Sequence, residues 1–138
     1  MRIVIDTNNV ISAVLQPMGP SASVFLLARH GVVEFCLTEP IAAEYEEVMH
    51  RPHLKFTSEI IAKTMASIRE AGHFVKPVKG VHACTDPDDN MLLECAEAAE
   101  AHYLITGNTK DFPVKWKKTR IVTAREFLNT LTEILRNQ

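Results

Sequence analysis

Short apolar runs alternate along this chain with stretches whose apolar residues recur every three or four positions, and that alternation restricts the fold more than any single residue. Arg2 to Ile5, Val32 to Leu37, Tyr103 to Thr106 and Arg120 to Val122 read as strands, with a further one expected near His82 to Thr85 after an extended Phe74 to Val81. Helical spacing predicts helices over Asn9 to Leu15, Ser21 to Arg29, Pro40 to just before Pro52, Thr57 to Ala71 and Asp86 to about Ala99, and a last one from Thr123 or Ala124. Ser21 is placed to cap the second helix, Gly31 to end it, and Gly72 to end the fourth. Strands alternating with helices imply an α/β fold with a central parallel sheet surrounded by helices, because right-handed crossovers return each strand beside its predecessors.

A length of 138 residues fits a single domain over 1–138. No apolar run is long enough to cross a bilayer, and Met1-Arg2 leads into a strand without a signal-peptide pattern, so a soluble cytoplasmic protein with no membrane partner is expected. Cys36, Cys84 and Cys95 are odd in number and lack C-x-x-C spacing, which argues against a disulfide framework and a zinc ribbon. His50 and His53 flank Pro52, which breaks the helix that would align them on a metal. The net charge of −2 gives no global attraction for phosphates, so nucleic-acid binding would need a local basic patch or a bound metal.

Acidic and amide residues fall where strands end or helices begin. Asp6 follows the first strand, Glu44 sits on the third helix, Asp86 and Asp89 open the helix at Asp86-Pro87-Asp88-Asp89-Asn90, and Asn108 and Asp111 follow the Tyr103 strand. Singly, each has an ordinary structural role. Asp6 and Asp86 are good N-caps, Asp89 three residues after Asp86 completes a box-like pattern, Glu44 is a solvated helix charge, and Asn108 and Asp111 suit turns. Independent caps have no reason to converge, however, and ligands on parallel sheets gather at the carboxyl ends of strands. A set of oxygen donors at that edge favours a hard divalent cation.

Taken together, the motifs resemble the PIN-domain ribonuclease family, in the branch whose members are toxin components of toxin/antitoxin systems. The resemblance rests on Val4-Ile5-Asp6-Thr7-Asn8 with Ser12, Glu44-Tyr45-Glu46-Glu47-Val48 with Arg51-Pro52, Asp86-Pro87-Asp88-Asp89-Asn90 before Ala96, and Thr106-Gly107-Asn108 before Phe112-Pro113. It implies a three-layer α/β/α domain that hydrolyses RNA with Mg²⁺ or Mn²⁺ and leaves 5′-phosphate and 3′-hydroxyl ends. By position, Asp6, Glu44 and Asp89 match the family's acids, and Asn108 stands where much of the family has aspartate. The departure removes a charge but keeps an oxygen ligand, and Asp111 could restore the charge or be only a turn residue. The resemblance further implies that Asp6 and Asp89 ligate the metal, that Glu44 holds water or acts as base, and that Asn108 completes the shell.

Thr7 and Ser12 carry hydroxyls where the family often positions a water or a phosphate, although either could instead satisfy the start of a helix. Asp86 could act as a cap that orients the turn. Lys110, Lys115, Lys117 and Lys118, with Trp116 among them, form a mixture able to contact phosphates and stack a base, or a solvated loop anchored by its aromatics. A homodimer and a small antitoxin partner are expectations from the family. Two competing readings are a catalytically degenerate scaffold that binds RNA or a partner, and a phosphatase-like or phosphoacceptor domain. The latter usually needs a second acid near Asp6 or a lysine after a late strand, and the chain has neither.

Overall fold

The apolar runs pair into one sheet in the computed structural model, which describes residues 1–138. Its strands are β1 (Arg2–Ile5), β2 (Glu34–Leu37), β3 (Gly72–Phe74), β4 (Tyr103–Ile105), β5 (Lys115–Trp116) and β6 (Thr119–Val122). The spatial order is β3-β2-β1-β4-β6-β5, with every pairing parallel except the antiparallel β5–β6 hairpin. Six α-helices complete the chain: α1 (Thr7–Leu15), α2 (Pro20–Arg29), α3 (Glu39–Met49), α4 (Ser58–Ala71), α5 (Pro87–Ala99) and α6 (Ala124–Arg136). The result is the three-layer α/β/α arrangement, and no single helix is long and apolar enough to cross a membrane.

Strands buried on both faces should be apolar without alternation, and Ile3, Val4, Ile5, Phe35, Cys36, Leu37, Leu104 and Ile105 are all buried. Helix α5 packs across β1, β2 and β4, while α2 packs with α1, α4 and α6. Local chemistry sets the helix starts. Thr38 caps α3 by accepting the Ile41 amide at 3.3 Å, Thr57 caps α4 by accepting that of Ile60 at 3.1 Å, and Thr123 with Glu126 forms a reciprocal capping box at α6. All three cysteines are buried and free.

Two expectations need correction. The strand near His82 to Thr85 does not form; the third strand is Gly72–Phe74, directly after α4, and Val81 to Thr85 is an irregular strap. That strap is buried at Val81 and Cys84 because it lies against α5, held by paired bonds between Asn90 and the Cys84 backbone at 2.8 and 3.0 Å. Gly72 ends α4, as expected, and enters the strand in an extended conformation; a Cβ there would lie 2.8 Å from the Ile68 carbonyl and 2.5 Å from the Leu37 side chain, so close approach of the helix's last turn and of β2 favours glycine. Ser21 does not cap α2, which starts at Pro20 after Gly19, and its hydroxyl accepts the Asn9 amide at 3.0 Å instead.

Candidate active site

Strand order reverses its sequence direction at β1, which has β2 on one side and β4 on the other. This switch point opens a crevice at the strands' carboxyl ends, where an α/β sheet binds ligands. Asp6 occupies it: its amide extends the ladder by donating to the Ile105 carbonyl at 2.9 Å, and its side chain is turned inward, the residue being only 7% exposed. Although Asp6 stands at the N-cap of α1, its carboxylate makes no capping bond. It accepts the Thr106 hydroxyl at 2.7 Å instead. Thr106 Oγ1 in turn accepts the Asn108 amide at 3.0 Å, so one buried hydroxyl orients the Asp6 carboxylate and ties down the turn after β4.

Two neighbouring bonds bring Glu44 to the same place. The buried Tyr45 hydroxyl donates to the Ile5 carbonyl and pins α3 to the end of β1, while the Thr7 hydroxyl donates to Glu44 Oε2. Burial holds the Tyr45 phenol well above its usual pKa, keeping the proton that this bond needs. From the other side, α5 begins beside the crevice. Asp86 caps it by accepting the Asp88 amide at 2.9 Å, with Pro87 in the first turn, and the Asn90 clamp fixes the strap that leads in.

The outcome is a cleft of about 240 Å³ lined by Asp6, Thr7, Asn8, Glu44, Asp86, Asp88, Asp89, Asn108 and Asp111, together with Val48, Leu92 and Arg51. Its electrostatics follow from crowding. Burial first, then the charges of Asp6, Asp86, Asp111 and Asp88, push the Asp89 carboxyl up to about 6. Burial first raises Glu44 to about 7, with Asp88 and Asp6 adding to the shift and the Thr7 hydroxyl opposing it. Asp6 is also raised, chiefly by burial; the Thr106 hydroxyl and the nearby Thr7 and Asn8 amides offset part of it, and Asp111 adds to it.

Such a site carries negative charge that the fold does not neutralise, and its donors are oxygens. No group of three acidic, histidine or cysteine side chains is placed to hold a metal ion by itself. Mg²⁺ keeps several waters and takes only one or two carboxylates alongside substrate phosphate, so it does not need three converging side chains. Asp6, Glu44, Asp89 and Asn108 are oxygen donors of the cleft that would be offered to such an ion.

Asp6, Thr7, Glu44, Asp86, Asp89, Asn108 and Asp111 therefore meet in one cleft, whereas Ser12, Lys115, Trp116, Lys117 and Lys118 do not line it. The lysine-rich segment forms the β5–β6 hairpin at the far end of α5, a helix whose 13 residues span roughly 20 Å. There the Trp116 indole donates to Glu97 at 3.1 Å, Lys117 lies over its ring at 5.4 Å, and Lys118 pairs with Glu100 at 2.9 Å. Residues that sequence reasoning passed over as site members are Thr106, Tyr45, Asp88, Asn90 and Arg51. Each lies inside a quoted motif, but only the fold shows which way it is used. Replacing Thr106 by valine keeps the shape and removes the hydrogen bond to Asp6; a loss of roughly 1–3 kcal/mol is expected, larger at pH 8 than at pH 4. Urea denaturation checks this, and an unchanged midpoint would refute the orienting role.

A mostly parallel α/β domain with a carboxylate cleft at its switch point defines the class. Within that class the family model described as PIN domain matches residues 2–110, and the chain belongs to the PIN-domain family. Membership points to a nuclease-type, hydrolytic function, and PIN domains typically use divalent metals. No curated protein matches the chain.

Proposed function

We propose that this PIN domain is a metal-dependent endoribonuclease and the toxin of a toxin/antitoxin pair. The observation that carries the nuclease reading is the convergence of Asp6, Glu44, Asp89 and Asn108 on one cleft whose carboxyls raise one another's pKa. Bound there, Mg²⁺ or Mn²⁺ supplies Lewis acidity at a phosphoryl oxygen and lowers the pKa of a water it holds. Asp6, kept in orientation by the Thr106 hydroxyl, and Asp89, in the first turn of α5, would hold the cation. Glu44, which lines the same cleft and is ionised once a cation offsets the neighbouring carboxylates, takes the proton of the attacking water. The Thr7 hydroxyl donates to Glu44 Oε2 and holds the carboxylate in place for that task. Water adds to phosphorus as the bond to the 3′ oxygen breaks and that oxygen takes a proton from solvent, giving a 5′-phosphate and a 3′-hydroxyl.

Asn108 gives the alternative its footing: a scaffold with one acid fewer could bind RNA or a partner without cutting. Asp111 lines the same cleft and restores the count of carboxylates. Labelled single-stranded RNA incubated with Mg²⁺, with Mn²⁺ and with EDTA separates the readings. Cutting that EDTA abolishes supports the nuclease; binding without cutting supports the degenerate scaffold. The toxin role, with a homodimer and a small antitoxin as partners, rests on the family branch and on exposed Leu26, which lines a groove with Val10, Val14 and Phe25. Suppression of cutting by the co-expressed product of a small neighbouring reading frame would support it.

A further inference from the structure

Six carboxylates line the acidic cleft, yet Arg51 lines it too and takes part in none of the protein's five ion pairs. An arginine beside so many acids would ordinarily be captured by one of them, since a guanidinium fork matches a carboxylate. Its backbone is held on both sides: the Arg51 amide donates to the Val48 carbonyl and the Arg51 carbonyl accepts the Leu54 amide, each at 3.1 Å, with Pro52 following. The chain fixes the base of this side chain and leaves its charged end unpaired.

A second cavity, of about 510 Å³, adjoins the cleft and shares Asp86, Asp89 and Asp111 with it. Its cation is Lys110, which lines only this second cavity, as Arg51 lines only the first. Lys110 also lacks an acidic partner, and it projects from a short 3₁₀ turn, Thr109–Asp111, anchored by buried Phe112 and by the Asp111 amide donating to the Asn108 carbonyl at 3.0 Å. The shared acids thus lie between two unpaired cations carried by different elements, one after α3 and one after β4.

We infer that Arg51 and Lys110 each contact a backbone phosphate, one on either side of the scissile one, so that single-stranded RNA runs through the joined cavities and is cut internally. This rests on the nuclease reading and adds the path of its substrate. The carboxylates repel an approaching polyanion, and a cation at each mouth offsets that repulsion without neutralising the acids themselves. Because the contacts lie away from the reacting atoms, they bind ground and transition states alike.

The test is salt-dependent binding of a fluorescently labelled single-stranded RNA in Mg²⁺, measured by anisotropy for the wild type, Arg51→Gln, Lys110→Gln and the double variant, with cleavage kinetics in parallel. Each phosphate contact contributes about 0.7 to the slope of log K against log salt for single strands. Each single variant is expected to reduce the slope by about 0.7 and the double by about 1.4, with KM raised and kcat retained, and Arg51→Lys should keep the wild-type slope. Lys117→Gln and Lys118→Gln, at the far end of α5, should leave it unchanged. Slopes unaltered in Arg51→Gln and Lys110→Gln, in a wild type that still cuts, would overturn the bracketing contacts alone. A wild type that neither binds nor cuts RNA would remove the nuclease reading and the bracket with it.

Discussion

Asp6→Asn is expected to lower metal-dependent cleavage of RNA by roughly 10³-fold while leaving the fold intact. The magnitude follows from the several kcal/mol that metal-assisted charge stabilisation supplies, at tenfold per ~1.4 kcal/mol. An isosteric amide retains an oxygen to accept the Thr106 hydroxyl, so the turn after β4 keeps its anchor. It also removes a charge whose burial is unfavourable, so the metal-free variant should be at least as stable as the wild type at pH 8. Stability that is kept while activity is lost separates chemistry from folding. Asp89→Asn should behave alike; Ser12→Ala, outside the cleft, should retain wild-type rates. Initial rates on labelled RNA, with melting curves on the same preparations, decide the matter. Full activity in Asp6→Asn would end its assignment as a metal ligand.

The contrast between Asp6 and Thr106 shows how far the sequence was readable. Asp6 is visible because a carboxylate ending an apolar run, followed by a helical stripe, marks the carboxyl end of a parallel strand. Thr106 ends a strand in the same way, but a threonine there is ordinary, and its use depends on β1 and β4 being neighbours, a pairing between residues a hundred positions apart. Tyr45 reads as part of the apolar stripe of α3, and only the approach of α3 to β1 gives its hydroxyl a carbonyl to meet. The Asp86 cap was legible because it obeys a contact within four residues, whereas Ser21 and Asp6 fit the same rule and are engaged by distant partners instead. The edge strand β3 was not legible, since three residues beginning with glycine carry no alternation, and the segment near His82 to Thr85 expected as a strand is instead held by its packing on α5.

The β5–β6 hairpin escaped for a different reason. Its turn is Lys117-Lys118, with Lys117 at φ 53°, a left-handed conformation that glycine or asparagine would have signalled. The lysines looked like a free basic patch because sequence does not show that Glu97 and Glu100, at the end of α5, lie beside them. Lys118 holds the Glu100 carboxyl below its usual pKa, a sign of charge spent within the fold. The cation that does face the acids, Arg51, was visible only as the residue before Pro52.

Without divalent metal, the protein is expected to lose stability as pH rises from about 4 to about 8, and Mg²⁺ is expected to restore more of it at pH 8 than at pH 5. The sign follows from the carboxyls of the cleft. Glu44 stands at about 7 against an ordinary 4.5, and Asp89 at about 6 against 3.8. Between these values the folded protein binds more protons than the unfolded chain, so stability falls with rising pH across that window. The contribution is fully present below the unfolded values and is lost as pH passes the folded ones. A cation reverses the balance, because it binds the deprotonated carboxylates and competes with protons at low pH. At a hundredfold excess over its dissociation constant it would add about 2.7 kcal/mol, which for a chain of 138 residues is a rise of about 9 °C in Tm. Calorimetry of the wild type and of Asp6→Asn, each with and without Mg²⁺ at pH 5 and pH 8, isolates the effect. The largest rise should occur in the wild type at pH 8; equal rises in both proteins, or at both pH values, would mean that the ion binds elsewhere than in this cleft.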